Sequence, residues 1–175
     1  IYLRNDGSRI RLRPSSEGLP MSSDQPMSSD RGTGVISDET VYVSWGGTGR
    51  AATLRKALTK AAEAGRGLIY LAILDDSTFG DVDRSMLELA KDELSWLLDA
   101  QLELARKQTG LADIGVRVLV RSGDVAAAIL GVADASGTSE VLIGAPIPPE
   151  EENDVTQLVE HLGARLKAPI EIIEP

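Results

Sequence analysis

The residues with the clearest chemical potential form one short run. Gly47-Thr48-Gly49-Arg50-Ala51-Ala52 follows the apolar stretch Val41-Tyr42-Val43-Ser44-Trp45 and precedes residues with helical spacing. A Gly-x-Gly-x-x-Ala turn between strand and helix aims backbone N–H groups and the positive end of the helix dipole at one spot, which suits an anion. Arg50 would add a positive charge there and Trp45 an apolar wall. Trp45, Gly46, Gly47, Thr48 and Gly49 are therefore the candidate cofactor-binding residues of the first half. Asp75 and Asp76 end the next apolar run, roughly where a dinucleotide fold keeps its ribose-binding acid. One reading is thus a dinucleotide-binding enzyme or carrier of the Rossmann type. The plainer reading is that the glycines make a tight turn and let the helix close on the strand, with Trp45 packed at the strand end.

The remaining residue types assemble no second chemistry. With no cysteine and a single histidine, disulfides, thiolate nucleophiles and Cys- or His-rich metal centres are excluded. No Ser-His-Asp set, carboxylate pair or metal-ligand cluster emerges, so no catalytic residue and no metal ligand is assigned. Glu150, Glu151, Glu152 and Asp154 would attract a divalent ion, but an exposed helix start explains them more simply, since carboxylates complement its dipole. His161 reads as a solvated or capping side chain, and Trp96 as a core or interface residue of a long helix.

Composition narrows the field further. Of 175 residues, 42% are hydrophobic and 26% charged, ordinary values for a globular domain. Lys and Arg number 18 against 27 Asp and Glu, a net charge of −9 that repels phosphate backbones. Aromatics at 3% argue against base-stacking platforms, so nucleic acid is not an expected partner. No run approaches the ~18 apolar residues of a membrane span, and no signal peptide is readable, which leaves a cytoplasmic location as the expectation.

The chain divides into three parts. Residues 1–13 alternate around Asn5-Asp6-Gly7-Ser8 and carry Arg4, Arg9, Arg11 and Arg13, a basic hairpin or arm. Residues 14–40 are rich in Ser, Pro, Gly and Asp, repeat Pro-Met-Ser-Ser-Asp at 20–24 and 26–30, and read as a linker. From Val41 strand and helix patterns alternate. Strands are expected at 41–45, 68–74, 116–120, 141–144 and 170–173. Helices are expected at 50–64, 81–109, 124–135 and 155–166. Met86, Leu89, Ala90, Leu94, Leu97, Leu98, Leu102 and Ala105 form the inward face expected of the long helix. Such alternation calls for a parallel sheet covered by helices on both faces.

Three stretches in the second half carry a resemblance. Gly123-Asp124-Val125-Ala126-Ala127-Ala128-Ile129-Leu130, then Glu140-Val141-Leu142-Ile143-Gly144-Ala145, then Lys167-Ala168-Pro169-Ile170-Glu171-Ile172-Ile173 resemble the universal stress protein family. The element order from Val41 to Pro175 agrees as well. The resemblance implies an open five-stranded parallel sheet of order 3-2-1-4-5, commonly a homodimer, and in some members an ATP site. It also implies a dimer contact through the last strand, whose Ile170, Ile172 and Ile173 would lie at an unpaired edge.

The implied ATP site is poorly kept. The family's Asp at the end of the first strand is missing from Val43-Ser44-Trp45-Gly46. Of its Gly-x-x-Gly, nine residues, then Gly-Ser or Gly-Thr, only Gly144 matches. Ile147 replaces the second glycine and Gln157-Leu158 the final pair. Pro146, Pro148 and Pro149 lack amide donors, and the acids at 150–152 and 154 repel a triphosphate. At ~4 Å and an effective dielectric of 20, each like-charge pair costs about 4 kcal/mol, several times the net worth of a hydrogen bond. The expectation is a non-catalytic regulatory or sensory domain that homodimerises, with adenine nucleotide disfavoured as cofactor. The opening Ile1, the basic start and the linker also fit the soluble tail of a larger membrane protein such as a transporter.

Overall fold

A computed structural model describes residues 38–44, 50–74, 83–144 and 152–175. The hairpin expected at 1–13 and nearly all of the linker expected at 14–40 lie outside these residues. Among the described residues the strands are β1 (Glu39–Ser44), β2 (Gly67–Leu74), β3 (Val116–Ser122), β4 (Glu140–Gly144) and β5 (Ile170–Ile173). The helices are α1 (Arg50–Glu63), α2 (Arg84–Thr109), α3 (Val125–Ser136) and α4 (Glu152–Gly163). All strand pairings are parallel and the order is β3-β2-β1-β4-β5, as expected.

The central strands are apolar on both faces because both faces are covered. Every residue of β2 is buried, and so is every residue of β4. Side chains alternate across the sheet: Tyr42, Leu68, Tyr70, Leu74 and Leu142 face α1 and α2. Val41, Ile69, Leu71, Ile73 and Val141 face α3 and α4. The helix ends are set by their capping residues. The Asp124 carboxylate accepts from the Ala127 amide at 2.8 Å to open α3, and Asp83 accepts from Ser85 at 3.1 Å to open α2. Gly110 and Gly137 close α2 and α3 at φ of 71° and 63°, a left-handed conformation that favours glycine.

Ion pairs hold the amino end of the sheet. Glu140 at the start of β4 is buried and meets Lys60 at 2.8 Å and Arg66 at 3.6 Å. Lys60 also pairs with Glu171 of β5, and Arg66 with Asp38 at 3.2 Å. Burial works against the Lys60 charge, but the hydrogen bonds to Glu140 and Glu171 outweigh it and its pKa is raised. Arg117 of β3 donates to Glu39 of β1 through two nitrogens, at 2.9 and 2.6 Å.

One expectation for α2 is corrected. Leu94, Leu98, Leu102 and Ala105 do face the core, but Met86, Leu89 and Leu97 point outward, and so does Trp96. At about 100° per residue, Met86, Leu89 and Leu97 fall roughly 95–175° away from the centre of the buried stripe. The helix carries two apolar faces, and the sheet covers one.

The difference between the faces is measurable. Leu98→Ala should destabilise the fold by about 2–5 kcal/mol in urea unfolding, whereas Leu97→Ala, one residue away, should cost about 1 kcal/mol or less.

Candidate functional site

The strand order reverses between β1 and β4: successive connections run outward to β2 and β3, then return to β4 and β5 on the other side. In open α/β sheets the crevice at the carboxyl ends of the two strands flanking this switch is the favoured ligand position. Here Ser44 ends β1 opposite Gly144, which ends β4.

Beneath that crevice lies a buried cluster of hydroxyl groups. Tyr42 and Tyr70 are register partners on β1 and β2, with ring centroids 5.2 Å apart and planes tilted by 47°. The Tyr42 hydroxyl lies 2.7 Å from Thr53 Oγ1, in the first turn of α1. Thr53 has one hydroxyl proton and donates it to the Arg50 carbonyl at 3.0 Å, so Tyr42 must be the donor to Thr53. This relay ties the start of α1 to the end of β1. It also reaches β4: a β-carbon on residue 144 would lie 2.6 Å from Tyr42 Oη, 3.0 Å from Tyr42 Cε2 and 3.1 Å from Thr53 Oγ1. Position 144 must therefore be glycine for the tyrosine to stand where it does.

Among the described residues, two buried polar atoms at this end have no hydrogen-bond partner: the Tyr70 hydroxyl and Arg50 Nε. Arg50 opens α1, where the helix dipole disfavours a cation, and no acid stands in that first turn. Burial pushes the pKa of Tyr42 up, partly offset by its hydrogen bonding with Thr53 and Ser44 and by the Arg50 charge. Burial raises Tyr70 further, and the neighbouring Tyr42 adds to it. Both phenols are thus neutral at physiological pH, suited to donate hydrogen bonds and unsuited to act as bases.

Of the residues singled out in the sequence, Gly144 stands at this junction. Trp45, Gly46, Gly47, Thr48 and Gly49 lie outside the described residues, as do Asp75, Asp76, and residues 145–151 with Ile147 and the prolines. Gln157 and Leu158 fall on α4, where Leu158 packs against Ile143 and Val155. Leu158, the residue expected from the motif spacing to take the place of a phosphate-binding hydroxyl, is partly buried. His161 is exposed near the end of α4. On β5, Ile172 is 44% exposed, Ile170 is half-buried, and Ile173 is buried against the Tyr42 side of the core. Among the described residues no group of three acidic or histidine side chains could hold a metal ion. The hydroxyl cluster was missed from sequence; its one signal is two tyrosines in register in otherwise aliphatic strands.

A family model described as DNA photolyase matches residues 55–171, from within α1 to within β5. Among solved structures, the chain is similar to a protein of the universal stress protein family from Burkholderia pseudomallei. The two share 20% identity over 79% of this chain and 96% of that one, with a TM-score of 0.56. A universal stress protein in complex with cAMP is 18% identical over 77% of this chain and 96% of its own, TM-score 0.51. The universal stress protein from Archaeoglobus fulgidus in complex with dAMP is 15% identical over 77% and 97%, TM-score 0.51. No curated protein matches the sequence significantly. The fold expected from the sequence is thus the fold found.

Two outcomes follow from the cluster. Gly144→Ala should cost about 1–3 kcal/mol in the wild-type background and measurably less beside Tyr42→Phe, a coupling that urea unfolding of the double-mutant cycle would read. The raised tyrosine pKa values mean that the folded state holds its phenolic protons more tightly than the unfolded chain. Their contribution is intact below pH ~10 and is lost as pH climbs from there towards the folded-state values, at up to about 1.4 kcal/mol per pH unit for each tyrosine. Tyr70→Phe should flatten the fall in stability measured between pH 9 and 11.

Proposed function

The chain belongs to the DNA photolyase family over residues 55–171 and folds as the universal stress proteins do, and from that premise we propose that it is a non-catalytic regulatory domain that works as a homodimer. Family membership brings the α/β unit and not an activity on DNA, because a chain of net charge −9 repels a phosphate backbone. The observation that carries the reading is the outer strand β5, which among the described residues has one sheet neighbour, β4, and leaves Ile172 open to solvent. A short, apolar, unpaired edge is a template for strand pairing with a second copy. Glu171 is held by Lys60 and so leaves the edge with less free negative charge to oppose that contact.

Loss of ATP binding is the second half of the proposal. Gly144, the one residue of the nucleotide pattern that remains, has its own reason to be glycine in the close approach of Tyr42. The first turn of α4 carries Glu152 and Asp154, and Leu158 is committed to packing. These features favour a domain that reports through assembly in a stress or regulatory response, in the cytoplasm or as the soluble part of a longer membrane protein. Among the described residues no helix is long and apolar enough to cross a membrane.

A second reading keeps a small-anion or nucleoside site at the 46–49 turn. The buried Arg50 Nε and Tyr70 hydroxyl favour it, since both are donors without an acceptor among the described residues. Native mass spectrometry separates the two and counts subunits in the same run. The expected result is a dimer without nucleotide in millimolar ATP, shifted at least tenfold towards monomer by Ile172→Glu. A monomer at high concentration removes the dimer, micromolar ATP binding removes the electrostatic argument, and retention of AMP but not ATP supports the second reading.

A further inference from the structure

The outward face of α2 is an unusual surface for a helix already packed on a sheet. Trp96 is 74% exposed, Leu89 58%, Leu104 56% and Met86 54%. With Leu97 and Ala100 they fall within an arc of about 100°, so they make one continuous stripe. The apolar area is roughly 500–600 Å², at the upper end of what a monomer leaves open without a partner. Carboxylates flank its Trp96 side, and Glu93 stands within the arc itself. Glu88 and Glu103 are neutralised within the helix by Lys91, and by Arg106 and Lys107. Asp92, Glu93 and Asp99 are exposed and have no ion pair among the described residues. They stand four residues before, three before and three after Trp96, so all three lie within a turn of its ring.

An exposed indole ringed by unpaired carboxylates is a receptor for guanidinium groups, which stack on the ring face while pairing with the acids. We propose that this face docks the chain's own basic segment Ile1–Arg13. Arg9-Ile10-Arg11-Leu12-Arg13 alternates cation and aliphatic side chain, which matches an apolar stripe with acids along one border. The attachment point is favourable too. Asp38 pairs with Arg66, and Arg66 lines the same cavity as Gly110, at the carboxyl end of α2. Residues 14–37 supply more than enough chain to span the distance, since an extended chain covers about 3.3 Å per residue and the middle of α2 lies roughly 20 Å from its end. A second copy of the same face would instead bring a second set of three unpaired carboxylates into the contact. The proposal is independent of the β5 edge.

The test uses the full chain with Trp45→Phe, which leaves Trp96 as the one indole reporter. Acrylamide quenching should find Trp96 shielded. Reversing the arm with Arg9→Glu, Arg11→Glu and Arg13→Glu should raise the quenching constant about threefold, with the circular dichroism spectrum unchanged as a folding control. Adding Asp92→Lys and Asp99→Lys to that variant should restore shielding, because the charge pairs re-form with opposite signs. Quenching of the parent at the level of free indole, or equal quenching in parent and arm-reversed chains, would overturn the proposal. Shielding that grows with protein concentration equally in both chains would also overturn it and assign the face to a second copy.

Discussion

The Tyr42 hydroxyl occupies the volume in which a β-carbon at position 144 would have to fit, and much of the carboxyl end of the sheet is arranged around that contact. Neighbouring parallel strands stand about 4.8 Å apart, too close for a large side chain to cross a neighbour's end unless that neighbour offers none. Tyr42 can cross because residue 144 is glycine, and once there it must place a polar atom in a dry environment. Thr53 accepts its proton and passes its own to the Arg50 carbonyl, which satisfies the hydroxyl and fixes where α1 begins. Strand β1, strand β4 and the first turn of α1 are thereby locked to one another at the point where a doubly wound sheet ordinarily opens a ligand crevice. A glycine that looks like the remnant of a phosphate loop is, in this chain, a packing requirement.

The two ends of the sheet solve the burial of polar groups differently. At the amino end Glu140 is buried as a charge, and two cations from α1 and its following turn converge on it. At the carboxyl end the polar groups are neutral phenols and hydroxyls, satisfied one by another, with Tyr70 left over. An unpaired buried hydroxyl costs about 1–3 kcal/mol, of the same order as the cost of removing the large ring that carries it, so a well-packed tyrosine persists with its hydroxyl unmet. Among the described residues, unpartnered buried polar atoms stand at both ends, Thr40 Oγ1 at the amino end and Arg50 Nε and the Tyr70 hydroxyl at the carboxyl end.

The sequence made the fold legible because its signals were redundant. Continuous apolar runs such as 68–74 allow little but a strand buried on both faces, and Asp124, Gly110 and Gly137 mark helix ends by capping chemistry that the structure reproduces. The long helix was legible in extent and not in orientation. Apolar residues on two faces satisfy one periodic template, so Met86, Leu89 and Leu97 read as core when the sheet had room only for the stripe through Leu98. The site was legible only at Gly144. The relay through Tyr42 and Thr53 depends on which β2 residue stands opposite which β1 residue, and register is a tertiary property that local pattern does not carry.

Fold and function separate at this same place. Proteins sharing this sheet order include ones solved with cAMP and with dAMP, yet shared architecture fixes only where a ligand would lie, not whether one is held. Holding a polyphosphate needs amide donors and net positive potential at the carboxyl end of β4. In this chain prolines remove donors from the segment after Gly144, acids open α4, and Leu158 stands where the motif spacing would put the phosphate-binding hydroxyl. The acids suit the dipole of α4, and Leu158 suits the packing against Ile143 and Val155. The large apolar groups left on the described surface stand elsewhere, Ile172 at the β5 edge and Trp96 with its neighbours on α2.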